Sequence, residues 1–174
     1  MVTSAAAHPE NSPDEIVEEV DALGNVLGLV TRQQMRAGAL WHRAVFIAVR
    51  SHSGELLVHR RAETKDVWPG WWDVAVGGVA NPGETWEAAA VRELAEELGI
   101  SGVELKPLGT GAYRDGAVKL VAACFEARCD GPFAFSDGEI VETQWVASNN
   151  LLVRLGQDSF LPDSIALVLP RIGL

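Results

Sequence analysis

Between Gly77 and Ile100 the chain reads GGVANPGETWEAAAVRELAEELGI. A glycine pair, a Pro-Gly turn and a helix bounded by Thr85 and Gly99 make a loop–helix unit whose ends are written into the sequence. Within the helix, Ala90, Val91, Leu94 and Leu98 form an apolar stripe expected to pack on a sheet. Glu93, Glu96 and Glu97 stand at i, i+3 and i+4, so their carboxylates are expected to converge on one patch. Like charges at that spacing repel, and no lysine lies between Lys65 and Lys106 to offset them. A solvated acidic face is the plain explanation. A divalent cation is the other, since clustered carboxylates suit Mg²⁺ or Mn²⁺, and these ions keep waters that a phosphate can replace.

The flanks favour the cation. Gly77-Gly78 lets backbone approach the site closely, and Pro82-Gly83 turns the chain into the helix. Glu84 can reach back to Arg92, whose guanidinium would brace the loop against the helix.

The rest of the chain mixes strands and helices without a regular βαβ period, which favours an α/β sandwich around a mixed sheet. Residues 15–30 read as two short strands around Leu23-Gly24-Asn25. Thr31 caps a short helix over 32–37, closed by Gly38. Residues 42–62 form a hairpin turning at Ser51-His52-Ser53-Gly54, and 67–79 is turn-rich and then extended. VELKPLGTGAY, AVKLVAACFEARC and VETQWVA read as further strands, and LVRLGQ and DSIALVLPRI as short C-terminal helices. Residues 1–13 read as a flexible tail ahead of a single domain, 14–174.

Lysine and arginine number 14 against 24 acids, a formal charge of −10. That balance argues against a nucleic-acid partner and against an anionic membrane surface. No apolar run approaches the roughly 20 residues that span a bilayer, and MVTSAAAHPENSPDE lacks the basic start and apolar stretch of a signal peptide. A cytoplasmic protein is the expectation. Cys124 and Cys129 have no second pair to complete a zinc site and read as small core or surface residues.

Gly78, Glu84, Arg92, Glu93, Glu96, Glu97 and Gly99, with apolar Leu94 and Ile100, reproduce the Nudix box at every fixed position. Chance would produce that match in such a chain with a probability of about 10⁻⁷. The protein thus resembles the Nudix hydrolases. EEVDALGNVLGLVTRQQMRAGALWHRAV and GELLVHRRAETKDVWPGWWD further resemble the branch related to isopentenyl diphosphate isomerase, so the likeness covers roughly residues 15–100. The resemblance implies an α/β/α sandwich and metal-assisted attack of water on a diphosphate joined to another moiety. It carries over Glu93, Glu96 and Glu97 as metal ligands, with the Gly78 carbonyl a further one, and Glu84 and Arg92 as supports of the loop. Mg²⁺ is the implied cofactor, with Mn²⁺ able to replace it.

Arg61 and Lys65 match positions that hold the substrate diphosphate in the isomerase branch. Glu139 sits where many relatives place an extra acidic group opposite the helix, as a ligand or general base, with Glu142 the alternative. Glu96, Glu97, Arg92 and Glu139 are therefore the candidate catalytic set. Trp68, Trp71 and Trp72 can stack on a nucleobase or serve the core. His42 matches an isomerase metal-ligand position. Gly77, however, stands where the isomerases carry a catalytic cysteine, and Val79 where they carry a histidine. Both departures, with the complete acidic set, point to hydrolysis of a small diphosphate metabolite, nucleoside di- or triphosphates first. An isomerase and a silent nucleotide-sensing module are the alternatives. A homodimer is compatible with the family.

Overall fold

The apolar residues of one central strand face alternately up and down, and this decides the architecture. The computed structural model describes residues 12–136 and 138–174. The expected tail thus lies outside the described residues as far as position 11. Pro13 is already tied down, its carbonyl accepting a hydrogen bond of 3.0 Å from the Gln33 amide.

The chain opens with the strands β1 (Ile16–Val20) and β2 (Val26–Thr31), paired antiparallel, then helix α1 (Arg32–Ala37). Thr31 caps α1 through a full capping box with Gln34. Strands β3 (Trp41–Arg50) and β4 (Leu56–Arg61) follow. The expected hairpin forms, but its strands pair only where they turn, at Arg50 and Leu56. Beyond that point β3 runs between β6 (Val76–Val79), antiparallel, and β8 (Lys119–Arg128), parallel. β4 is flanked instead by β5 (Trp72–Asp73) and β9 (Ile140–Val146). β7 (Leu105–Arg114) pairs antiparallel with β8. The result is a mixed nine-stranded sheet.

Ala44, Phe46 and Ala48 of β3 pack on one face with Leu120, Ala122 and the C-terminal segments. Val45, Ile47 and Val49 pack on the other with Ala89, Ala90, Leu94 and Leu98 of helix α2 (Trp86–Leu98). This strict alternation puts helices on both faces of the sheet, the expected α/β/α sandwich. The C-terminal face is covered by α3 (Ser148–Leu155), α4 (Pro162–Val168) and a closing 3₁₀ turn, Leu169–Ile172. α3 begins four residues before the expected Leu152, because burial of Leu151 against the sheet extends the helix backwards. Cys124 is buried in β8, as expected of a small core residue. No helix among the described residues is long and apolar enough to cross a membrane.

Candidate active site

α2 starts where its sequence says, with the Thr85 hydroxyl accepting from the Ala88 amide at 3.2 Å, and stops at Gly99 in a left-handed turn of φ 66°. Its inward stripe differs from expectation at one place. Val91 is half exposed, whereas Ala89, Glu93 and Glu97 are buried alongside Ala90, Leu94 and Leu98. Two carboxylates are therefore drawn inward rather than displayed on a solvated face.

The glycines of β6 make room for them. A Cβ on Gly78 would lie 2.5 Å from Glu93 Oε1, so only a bare backbone lets this carboxylate rest against the strand. Gly77 is more constrained still. With φ at 150°, a Cβ there would lie 1.9 Å from the Val45 carbonyl oxygen.

Arg92 neutralises much of the acidic face. Its Nε and Nη2 donate to the two oxygens of Glu84, each at 3.0 Å. Its Nη1 donates to Glu93 at 2.9 Å and Glu96 at 3.0 Å, and Nη2 also reaches the Val79 carbonyl at 3.2 Å. Burial pushes the Glu84 carboxyl up, but its bonds to Arg92 and to the Asn81 amide outweigh this and hold it below the usual range. Glu18 steadies the same loop from β1, accepting from the Gly83 amide at 2.9 Å and from Arg43 at 3.0 Å. Arg43 in turn lies over the Trp86 ring at 4.0 Å. Glu18 and Arg43 gave no signal in the sequence beyond ordinary surface charge.

Convergence of all three box carboxylates is not what the side chains adopt. Among the described residues no three histidine, cysteine or acidic side chains are gathered as a ready ligand set. Arg92 holds Glu93 and Glu96 toward itself. Glu97 stays apart from Arg92, and its Oε2 is buried without a hydrogen-bond partner. Burial raises Glu93 to about 7, and burial together with the Glu93 charge raises Glu97 well above the ordinary carboxylate value. An orphaned carboxylate oxygen beside a second buried carboxylate is the arrangement that a divalent cation would satisfy, so the donor set fits one.

The opposite wall is basic. Lys65 is ion-paired with Glu139, whose charge acts on both Glu93 and Glu97, so this loop carboxylate faces the helix as expected. Glu142 does not. It pairs across strands with Arg60 at the surface, and the alternative assignment falls away. Arg61 donates from Nη2 to the Val67 carbonyl at 3.2 Å, while its buried Nε has no partner. Arg36 also lines this wall, bound to Asp66 at 2.7 Å, as does Arg32, bound to Glu15 at 2.6 Å. These two arginines were missed because α1 is too short to show a one-sided charge pattern.

Of the tryptophans only Trp68 lines the cleft, from a left-handed backbone of φ 47°. Trp72 packs on Phe160 with Arg154 stacked 4.2 Å over its ring, and serves the core. His42 lies in the cleft wall, but the charges nearest it are Arg36, Arg32 and Asp66, not the box glutamates. The floor holds a further pair absent from the sequence reading. Phe160 and Leu161 run beside β5, the Leu161 amide donating to the Trp72 carbonyl at 2.9 Å, and this brings Asp163 of α4 beside Asp73. No local motif marks these two residues, which are 90 positions apart; only the tertiary pairing joins them.

Comparison with known proteins agrees with this fold. The NUDIX domain model matches residues 40–166. An uncharacterized Nudix hydrolase of Yersinia pestis is 39% identical over 159 residues, covering 90% of this chain and 86% of its own. The crystal structure of DR0079 from Deinococcus radiodurans superposes with a TM-score of 0.75 at 28% identity, over 88% of this chain and 97% of that one. The NUDIX domain of Shewanella oneidensis NrtR, solved in complex with ADP ribose, shares the fold at 19% identity and a TM-score of 0.59, over 80% of this chain and 95% of that one. The chain belongs to the Nudix hydrolases, and its catalytic class is that of a pyrophosphohydrolase.

Proposed function

We propose that residues 14–174 act as one Nudix domain that hydrolyses the phosphoanhydride of a small diphosphate-containing metabolite with Mg²⁺ as cofactor. The observation that carries this reading is the orphaned, buried Oε2 of Glu97 beside Glu93 and the bare backbone of Gly78. Glu93, Glu96 and Glu97, with the Gly78 carbonyl, would hold the metal. When bound, the metal supplies charge neutralisation of the diphosphate and acidification of a water.

The other residues have work of their own in this reading. Arg61 and Lys65 stand across the cleft, where their charges would orient the diphosphate. Lys65 would leave Glu139 as the substrate arrives, and Glu139, facing Glu93 and Glu97, would then accept a proton from the attacking water. Glu96 and Arg92 shape the acidic face, and Arg92 with Glu84 fixes the loop that presents Gly78.

The likeness of the flanks to the isomerase branch concerns sequence more than chemistry. Isomerisation moves a proton between carbons, which needs an acid and a base on opposite sides of the alkene. The Gly77 backbone leaves no space for the cysteine side chain that isomerases carry there. Nucleoside diphosphates and triphosphates, or nucleotide sugars such as the ADP ribose bound by the NrtR domain, are the leading substrates. The test is release of phosphate, pyrophosphate or nucleoside monophosphate from a panel of nucleotides, dinucleotides and prenyl diphosphates with Mg²⁺. Hydrolysis of a nucleotide-type member is expected. Conversion of isopentenyl diphosphate to its dimethylallyl isomer, with no nucleotide cleaved, would replace this reading by the isomerase one.

A further inference from the structure

The turn Asn81-Pro82-Gly83-Glu84 joins the two sides of the acidic site. It follows β6, which carries Gly78, and leads into α2, which carries Glu93 and Glu97. Its placement therefore sets where the Gly78 backbone stands against those carboxylates. Every amide hydrogen from Ala80 to Glu84 has an acceptor. Ala80 donates to the Arg43 carbonyl and Glu84 to the Asn81 carbonyl, each at 3.0 Å. Asn81 donates to Glu84 Oε2 at 2.9 Å, and Gly83 to Glu18 Oε1 at 2.9 Å. Two of these four bonds stay within the turn, and the Ala80 bond holds its entrance to β3. The Gly83 amide is thus where the tip of the turn is tied to the sheet, and Glu18 is what ties it.

Glu18 is itself firmly held. Alternation along β1 turns Val17 toward Met35 and Val79, and Glu18 to the opposite face, where it meets the turn. The carboxylate is 8% exposed, yet both oxygens are satisfied, because Oε2 accepts from Arg43 Nη1 at 3.0 Å. Arg43 is fixed in turn over the ring of Trp86, the first residue of α2. A carboxylate bonded to a backbone amide makes a bond about twice as strong as a neutral pair. A strand outside the box, the start of α2 and the turn between β6 and α2 are therefore locked together through one side chain. Glu18 does not line the cleft, so whatever it does for the site it does through the turn.

We propose that Glu18, held by Arg43, is a positioning residue of the metal site, setting the divalent-cation affinity of Glu93 and Glu97 through the Gly83 amide. Partners that orient metal ligands change metal affinity by about 10–100-fold when they are removed, without touching the ion.

This inference rests on the metal-binding reading above, and its test reads binding rather than turnover. Mn²⁺ would be titrated into the protein and followed by the electron paramagnetic resonance signal of the free ion. Glu18→Ala is expected to weaken Mn²⁺ binding by about tenfold or more. Should it fail to fold, Glu18→Met with Arg43→Met removes the acceptor without stranding a cation, and the same loss is expected. Glu18→Gln with Arg43→Met returns an oxygen to the Gly83 amide and is expected to bind within about threefold of the native protein. Native-like affinity in a variant that lacks the acceptor would overturn the proposal. So would a glutamine variant as weak as these, because the Gly83 bond would then not be the route. Leu151→Ala, which empties a core position on the other face of the sheet, should lose stability and keep its Mn²⁺ affinity. Comparable weakening there would reduce Glu18 to a general support of the fold and overturn its assignment to the metal site. A native protein that takes up no Mn²⁺ would overturn the metal reading itself, and this one with it.

Discussion

Arg92 grips Glu84 with two parallel hydrogen bonds of 3.0 Å, joining the middle of α2 to the loop that precedes it. The same guanidinium bonds Glu93 and Glu96, so one side chain sets both the loop and the spacing of the acidic face. Arg92→Ala should lower the melting temperature and the turnover together, because it strands partly buried carboxylates. In a double-mutant cycle with Glu84→Gln, a coupling of about 1–3 kcal/mol is expected. Additive effects on denaturant midpoints would show that the pair does not brace the loop.

Glu97 is the box residue without a protein partner for its buried oxygen. Replacing it by Gln keeps the volume and removes a charge that would contact the metal. Turnover at saturating Mg²⁺ should fall by about 10²-fold or more while the circular dichroism spectrum is unchanged. Because burial disfavours the charged form of this carboxyl, the variant should melt no lower than the native protein in metal-free buffer. Near-native turnover would remove Glu97 from the metal set.

Much of this site was legible because its parts are local. The spacing from Gly78 to Ile100 places one loop and one helix, and both caps of α2, the Thr85 hydroxyl and the left-handed backbone of Gly99, lie within the unit. The Arg92–Glu84 contact follows from that spacing. What the sequence hid depends on distant strands. The inward turn of Glu93 and Glu97 and the exposure of Val91 follow from which face of α2 meets β3 and β6, and a helical period leaves that rotation open by one residue. Asp73 and Asp163 meet because the segment before α4 lies along β5. Likewise the β3–β4 hairpin was visible, but the divergence of its strands around β6, β8 and β9 is set by long-range pairing alone.

Gly77 offers a sharp test of why no thiol stands in this position. Its φ of 150° is unfavourable for any side chain, and a Cβ would press on the Val45 carbonyl oxygen at 1.9 Å. Backbone cannot yield there without breaking the β3–β6 ladder, where Gly77 pairs with Phe46. Gly77→Ala and Gly77→Cys should each destabilise by on the order of 3 kcal/mol or more, combining strain with overpacking. Chemical denaturation measures this directly. A cysteine variant as stable as the native protein would mean that the strand can accept the isomerase residue after all.

The last prediction concerns pH and the aspartate pair. Burial, helped by the Asp73 charge, raises Asp163 to about 7 from an ordinary value of 3.8. Below pH 3.8 the carboxyl is protonated in folded and unfolded chains alike, and its neutral form is the one the fold tolerates. Between 3.8 and 7 the unfolded chain releases its proton while the folded one keeps it, so stability falls as pH rises, and the loss is complete above 7. Asp163→Asn removes this titration and relieves Asp73 of a like charge. His42 and His59, which burial lowers to about 4 and about 3, push stability the other way on acidification, but they are common to both proteins and cancel in the difference. The variant should therefore gain on the native protein by about 2–4 kcal/mol between pH 4 and pH 8, roughly 4–16 °C in melting temperature for a chain of this size. Melting curves of the two proteins at intervals across that range provide the measurement. A constant offset between them would mean that Asp163 ionises in the fold at an ordinary pH.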